Sequence, residues 1–120
     1  MKKITGLMAV VMLAVMLAAC GGSKKDGRVL VDIIQAYADN DIEVDENDKP
    51  YFQMIGAKDG VIFYIDTSVV KIYEYESEKS LSEAQETYKD VIKDWPVNGK
   101  FLLETSNEKA IEIFNGIEQP

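Results

Sequence analysis

Two runs rich in β-branched and aromatic residues sit almost end to end in the middle of this chain, and they limit its fold more than any other stretch. They are Val61-Ile62-Phe63-Tyr64-Ile65 and Val69-Val70-Lys71-Ile72-Tyr73-Glu74-Tyr75. Such residues suit a pleated, half-buried surface. Asp66-Thr67-Ser68 between them reads as a turn, so the pair is expected to form a β-hairpin. In the first strand both faces are apolar. In the second, alternation sets Val70 and Ile72 opposite Val69, Lys71, Tyr73 and Tyr75.

Two readings of the tyrosines follow. Tyr64, Tyr73 and Tyr75 form a candidate interaction surface if they make an exposed aromatic platform for a partner or a glycan. The commoner arrangement has such tyrosines lining a sheet beneath a helix, with their hydroxyls at the rim.

Helical periodicity flanks the hairpin. Val29, Leu30, Ile33, Ile34 and Tyr37 recur at helical spacing across Arg28 to Ala38, with Asp26 or Gly27 as the start and Asn40 as a left-handed stop. Ser80-Leu81-Ser82-Glu83 has the form of a capping box. It opens a helix to Asp94 with Leu81, Ala84, Tyr88, Val91, Ile92 and Trp95 on one face, ended by Pro96. Asn98-Gly99 signals a tight turn, and Lys100 to Glu104 after it reads as a strand. Thr105-Ser106-Asn107-Glu108 then caps a last helix with Ala110, Ile111, Phe114 and Ile117 facing inward. Pro50 to Gly56 fits either a strand or a short helix stopped by Gly56, and the helix is preferred.

The resulting order is helix, short helix, strand, strand, helix, strand, helix. It predicts a single small α+β domain over residues 27–118, with a three- to four-stranded sheet and helices packed mainly on one face. A strand–helix–strand step would cross over right-handed if its strands were parallel.

Asp39, Asp41, Glu43, Asp45, Glu46 and Asp48 form an acidic run. Calcium is one reading, but an EF-hand loop needs Gly at position 6 and Glu at position 12. Counting from Asp39 puts Val44 and Pro50 there; counting from Asp41 puts Glu46 and Phe52 there. Ile42 and Val44 alternate with acids instead, as in a half-buried extended segment.

The N-terminus carries a different signal. Lys2 and Lys3 precede an uncharged run from Ile4 to Leu17. As a helix that run would reach only about 21 Å, too short for a ~30 Å hydrocarbon core, and it fits the apolar region of a secretory signal peptide. Leu17-Ala18-Ala19-Cys20 at its exit resembles the lipobox of bacterial lipoproteins. That resemblance implies recognition through Leu17, Ala18 and Ala19, cleavage after residue 19, and a diacylglyceryl group on the Cys20 thiol. It also accounts for the single cysteine, since a disulfide-stapled secreted domain carries an even number. Two acyl chains anchor firmly where one does so marginally. Residues 20–26 then read as the lipidated cysteine and a flexible tether of at most about 20 Å.

Removing residues 1–19 takes away two lysines and no acid. This leaves 11 basic and 21 acidic residues, a net charge near −10. Nucleic acid, which is met first through basic patches, is therefore not an expected partner.

The chemistry that side chains could support is sparse. With no histidine, the commonest general base and zinc ligand are missing. Ser-x-x-Lys occurs at Ser68–Lys71 and Ser106–Lys109, without the companion elements of the serine enzymes that use it. No cofactor, metal site or catalytic residue is expected.

Beyond the lipobox, Ile55-Gly56-Ala57-Lys58-Asp59-Gly60, Val70-Lys71-Ile72-Tyr73-Glu74-Tyr75 and Asn98-Gly99-Lys100-Phe101-Leu102-Leu103-Glu104-Thr105 resemble small envelope lipoproteins of Gram-positive bacteria. The likeness is topological and implies no activity. The expectation is a lipid-anchored protein on the extracytoplasmic face of the cell membrane. It would serve as a non-catalytic interaction module for an envelope protein partner, with a small-ligand or cation receptor feeding a transporter as the alternative.

Overall fold

The hairpin expected from the central runs is the spine of a four-stranded antiparallel sheet. The computed structural model describes residues 26–119; Leu17, Ala18, Ala19 and Cys20, with the expected signal peptide and most of the tether, lie outside the described residues. Strand β1 (Asp59–Ile65) pairs with β2 (Ser68–Glu74) in a register that closes at Ile65–Ser68. Asp66 supplies the positive φ, 57°, that this two-residue connection needs. The sheet is completed by β3 (Val97–Asn98) and β4 (Phe101–Glu104), in the order β1-β2-β4-β3. Every pairing is antiparallel, so the right-handed crossover rule has no strand pair to act on. The single α+β domain of the sequence reading is the fold observed.

Alternation divides the sheet into two faces, and helices cover both rather than mainly one as expected, because Tyr73, Tyr75 and Leu102 make the second face apolar too. On the first, Val61, Phe63, Val70, Ile72, Phe101 and Leu103 pack beneath α1 (Leu30–Ala38) and the last helix, α4 (Glu108–Gly116). Tyr37 joins these layers: its hydroxyl donates to the Ala110 carbonyl at 2.8 Å, and its ring meets Phe63 edge-on at 5.1 Å. On the second face, Tyr73, Tyr75 and Leu102 pack against Leu81 and Ala84 of α2 (Glu78–Thr87) and Ile92 of the short α3 (Lys89–Ile92).

Several local expectations are corrected. Helix α2 starts earlier than its capping box suggested: Ser77 is the N-cap, accepting from the Ser80 N–H at 3.1 Å. The helix expected to run to Asp94 breaks at Tyr88, whose φ and ψ are −113° and 28°. The break turns Val91 out to solvent and keeps Ile92 inside. After α1 the left-handed residue is Asp41, at φ 64°, rather than Asn40; Asn40 instead donates its side-chain amide to the Ala36 carbonyl. Residues Phe52–Ile55 form a 3-10 turn, and Gly56, at φ 78°, stops it as expected.

The Asn98-Gly99 turn also shifts by one. Asn98 pairs with Phe101, so Gly99 and Lys100 are the central residues, with Gly99 at φ 63°. Asn98 is thereby free to turn inward, where its amide donates to the Phe114 and Ile117 carbonyls at 2.9 and 2.8 Å. These carbonyls lie in the last turn and at the C-cap of α4, where intrahelical donors run out.

Asp26, expected to be the last residue of a flexible tether, is not solvated. Asp26 belongs to the folded body, with only 1% of its side chain exposed. Its carboxylate is gripped by Arg28 through Nε at 2.8 Å and Nη2 at 2.7 Å, and accepts the Lys100 N–H at 3.0 Å. Burial pushes the Asp26 carboxyl up, but the Arg28 bonds and backbone amides outweigh it and hold it down at about 2. Arg28 reaches on to the Asn98 and Glu118 carbonyls, so the start of the domain is tied to the β3–β4 turn and the C-terminal segment.

Beside this lock lies a buried ion pair. Oε1 of Glu74 accepts the first helical N–H of α1, from Leu30, at 3.2 Å. That places negative charge where the helix dipole favours it. Oε2 lies 3.2 Å from Lys100 Nζ and 3.7 Å from Lys58 Nζ, paired by charge without hydrogen-bond alignment.

Candidate interaction surface

The three tyrosines do not form the exposed platform that one reading allowed. Tyr75 is fully buried, its hydroxyl donating to the Ile55 carbonyl at 2.7 Å. Burial pushes that phenol up to about 12, with Tyr88 adding to the shift. Tyr73 is 4% exposed, stacks on Trp95 at 6.2 Å between centroids, and donates to Glu104 Oε1 at 2.7 Å. Burial raises the Tyr73 phenol far above its ordinary value, and the Glu104 carboxylate beside it pushes the same way. Both residues line the sheet beneath α2 and α3. Tyr64 stands apart at 58% exposure.

The difference follows from where the second layer stops. Helices α2 and α3 cover the Glu74 end of the second face but not its hairpin end. Tyr64 pairs with Val69, and both are exposed.

Between the covered and open parts lies a cleft of about 480 Å³. Its floor is Ile62, Lys71, Tyr73 and Glu104; Tyr51 and Met54 of the 3-10 turn stand on one side, Val91 and Trp95 on the other. Tyr51 and Met54 are 83% and 72% exposed, far more than large apolar side chains in a core. The polar part of the floor is internally satisfied, with Glu104 accepting from Tyr73 and 3.9 Å from Lys71 Nζ. Apolar side chains around such a floor make a surface suited to contact, because exposed apolar groups gathered in one place mark interaction sites.

The acidic run lies along the edge of the same hairpin. Ile42 is buried and Val44 half-buried against the first-face core, so the alternation seen in the sequence is the one adopted. At the far end of the run the Asp48 carbonyl accepts the Ile62 N–H at 2.9 Å. Between run and strand is a second cleft, of about 800 Å³, lined by Asp41, Glu43, Asp45, Asp48 and Asp66, with Lys109 as the opposing charge. Among the described residues no three acids or cysteines converge closely enough to hold a metal ion.

The two Ser-x-x-Lys copies fall where they were expected. Ser68 and Lys71 lie in β2, and Lys71 is turned to Glu104; Ser106 precedes the Asn107 cap of α4. The Asp26–Arg28 lock and the Glu74–Lys100 pair were missed. Glu74 alone carried a hint, as the one acid in a strand of mainly apolar and aromatic residues.

No family model, no curated protein and no solved structure matches the chain. No helix among the described residues is long and apolar enough to cross a membrane.

Proposed function

We propose that this chain is a lipid-anchored, non-catalytic interaction module on the extracytoplasmic face of the cell membrane, and that its hairpin end contacts another envelope protein. The lipobox-like Leu17-Ala18-Ala19-Cys20 supports the address. The observation that carries the contact is the set of exposed large side chains Tyr51, Met54 and Val91 around the second-face cleft, with exposed Tyr64 two residues along β1 from Ile62 of its floor. Geometry adds support. The chain enters the domain at the Asp26 lock, beside Lys100 and the Glu74 end of β2. From Glu74 to Ser68 the strand advances about 20 Å, so Tyr64 sits at the end of the sheet remote from the tether.

Photo-cross-linking on intact cells tests this reading, with the reactive side chain placed at Met54, Tyr64 or, as a control, the exposed Glu112 of α4. The expected result is one discrete adduct from Met54 and Tyr64 and none from Glu112. Equal labelling from all three sites, or from none, overturns it.

The acid-lined cleft favours a second reading, a receptor for a cationic small ligand. Thermal unfolding of the full-length chain in detergent micelles, against divalent cations, polyamines and amino acids, separates the two. A ligand at a hundred times its Kd stabilises by about 2.7 kcal/mol, a shift of several degrees in a domain of this size. The interaction module predicts no shift.

A further inference from the structure

Among the described residues β1 is an edge strand, and half of its outer edge is open. The Ile62 N–H points away from β2, because it donates to the Asp48 carbonyl. In an antiparallel ladder, residues alternate between pairing inward and facing outward with both backbone groups. The Ile62 carbonyl and both the N–H and the carbonyl of Tyr64 therefore face outward too. Among the described residues no backbone carbonyl outside the sheet accepts the Tyr64 N–H. Past Asp48 the acidic run draws away from β1, and the cleft of about 800 Å³ opens between them, with Tyr64 in its lining.

An open strand edge is a template for another strand. Natural proteins blunt such edges with lysines or cover them; here the covering segment leaves a gap, and the charges lining the gap are acidic. Among the described residues five acids, Asp41, Glu43, Asp45, Asp48 and Asp66, line it with one lysine, Lys109. Between them Val44 and Ile65 are half-buried and offer apolar footing. We infer that the β1 edge accepts an extended segment of a partner protein as a fifth strand, and that this segment alternates basic with apolar residues. Its backbone pairs with Tyr64 and the Ile62 carbonyl, its apolar side chains rest on Val44 and Ile65, and its basic side chains meet the acids. A helical partner has its backbone groups already paired and gives the edge nothing. In strand addition the main-chain bonds supply affinity and alternate side chains supply specificity. This inference rests on the interaction-module reading and gives that reading a partner chemistry.

The test uses the full-length protein in detergent micelles and three capped hexapeptides: alternating lysine and valine, the same peptide fully N-methylated on its backbone, and alternating glutamate and valine. The lysine–valine peptide is expected to bind and to slow hydrogen exchange at the Tyr64 amide, with affinity falling as salt is raised. The N-methylated peptide keeps the charge but has no N–H to donate to the Ile62 and Tyr64 carbonyls, and is expected to bind at least roughly tenfold more weakly, the equivalent of one or two hydrogen bonds. The glutamate peptide should fall by a similar factor or more. So should lysine–valine binding to an E43K/D45K variant; both positions are exposed, and the amide spectrum reports its fold. Equal binding of the methylated peptide reduces the effect to charge attraction and overturns the inference, as does failure of the lysine–valine peptide to bind. A discrete cellular adduct at Tyr64 alongside such a failure leaves the interaction module standing without this partner.

Discussion

The carboxylate of Asp26 occupies the space that a side chain on Gly99 would fill: a Cβ built there collides with Asp26 Oδ2 and Arg28 Nη2. Gly99 also holds a left-handed φ of 63°. Gly99→Ala must strain the backbone and displace the lock together, and is expected to cost about 2–3 kcal/mol. Gly27, by contrast, has nothing within 4 Å of such a Cβ, and Gly27→Ala should be near neutral. Thermal unfolding of the two variants checks the contrast.

The Glu74–Lys100 pair predicts a non-additive cycle. Lys100→Met leaves the buried Glu74 carboxylate with the more distant Lys58 as its cation among the described residues, a loss of about 3 kcal/mol. Glu74→Gln keeps an acceptor for the Leu30 N–H and should cost less. The double variant is expected to be more stable than the sum of the singles implies, by about 1 kcal/mol or more, as read by denaturant unfolding. Simple additivity would show that the two residues are not coupled.

Stability should fall at both ends of the pH scale, for different groups. Asp26 has its folded pKa lowered from 3.8 to about 2. Its contribution is present above 3.8 and is lost as pH falls through about 2. Asp26→Asn should lower the stability plateau and flatten this part of the acid limb. Tyr75 has its folded pKa raised from 10.0 to about 12. Its contribution is complete below 10.0 and is lost as pH rises through about 12. Tyr75→Phe should make the alkaline limb shallower. Urea midpoints taken from pH 2 to 12 give both limbs.

The tyrosines should separate by burial. Tyr75→Ala empties a fully buried site and is expected to destabilise by about 3–5 kcal/mol. Tyr64→Ala and Met54→Ala change exposed positions and should stay within about 0.5 kcal/mol, while removing the cellular adduct that the interaction reading predicts. Paired stability and cross-linking measurements on these variants distinguish a surface role from a structural one.

Much of the fold was legible because local pattern and tertiary packing agree. The hairpin, α1 and α4 bury most of the residues their periodicity selected, Val29 being the exception as the exposed cap ahead of α1, and Gly56 stops the turn it was expected to stop. What escaped depended on partners distant in the chain. Tyr73 and Tyr75 alternate onto the face opposite Val70 and Ile72 as the pattern required. Whether that face was wet, however, rested on where α2 and α3 came to lie. Asn98 looked like a turn residue because asparagine before glycine usually is one. Its inward role depends on carbonyls of α4, 16 and 19 residues away. Asp26 read as tether because acids beside glycine and lysine are commonly solvated; the bonds that bury it come from Arg28 and from Lys100, 74 residues on. The candidate surface was legible at Tyr64 and in the acidic run. The open edge between them was not, since it is a property of strand order.

The claim on which the address and the tether geometry both rest is lipid on Cys20, and the intact mass of the protein extracted from cell membranes tests it most directly. The expected species begins at Cys20 and carries the added mass of a diacylglyceryl group, part of which is released by ester hydrolysis. A chain that still begins at Met1, or one that carries an unmodified Cys20 thiol, would contradict it.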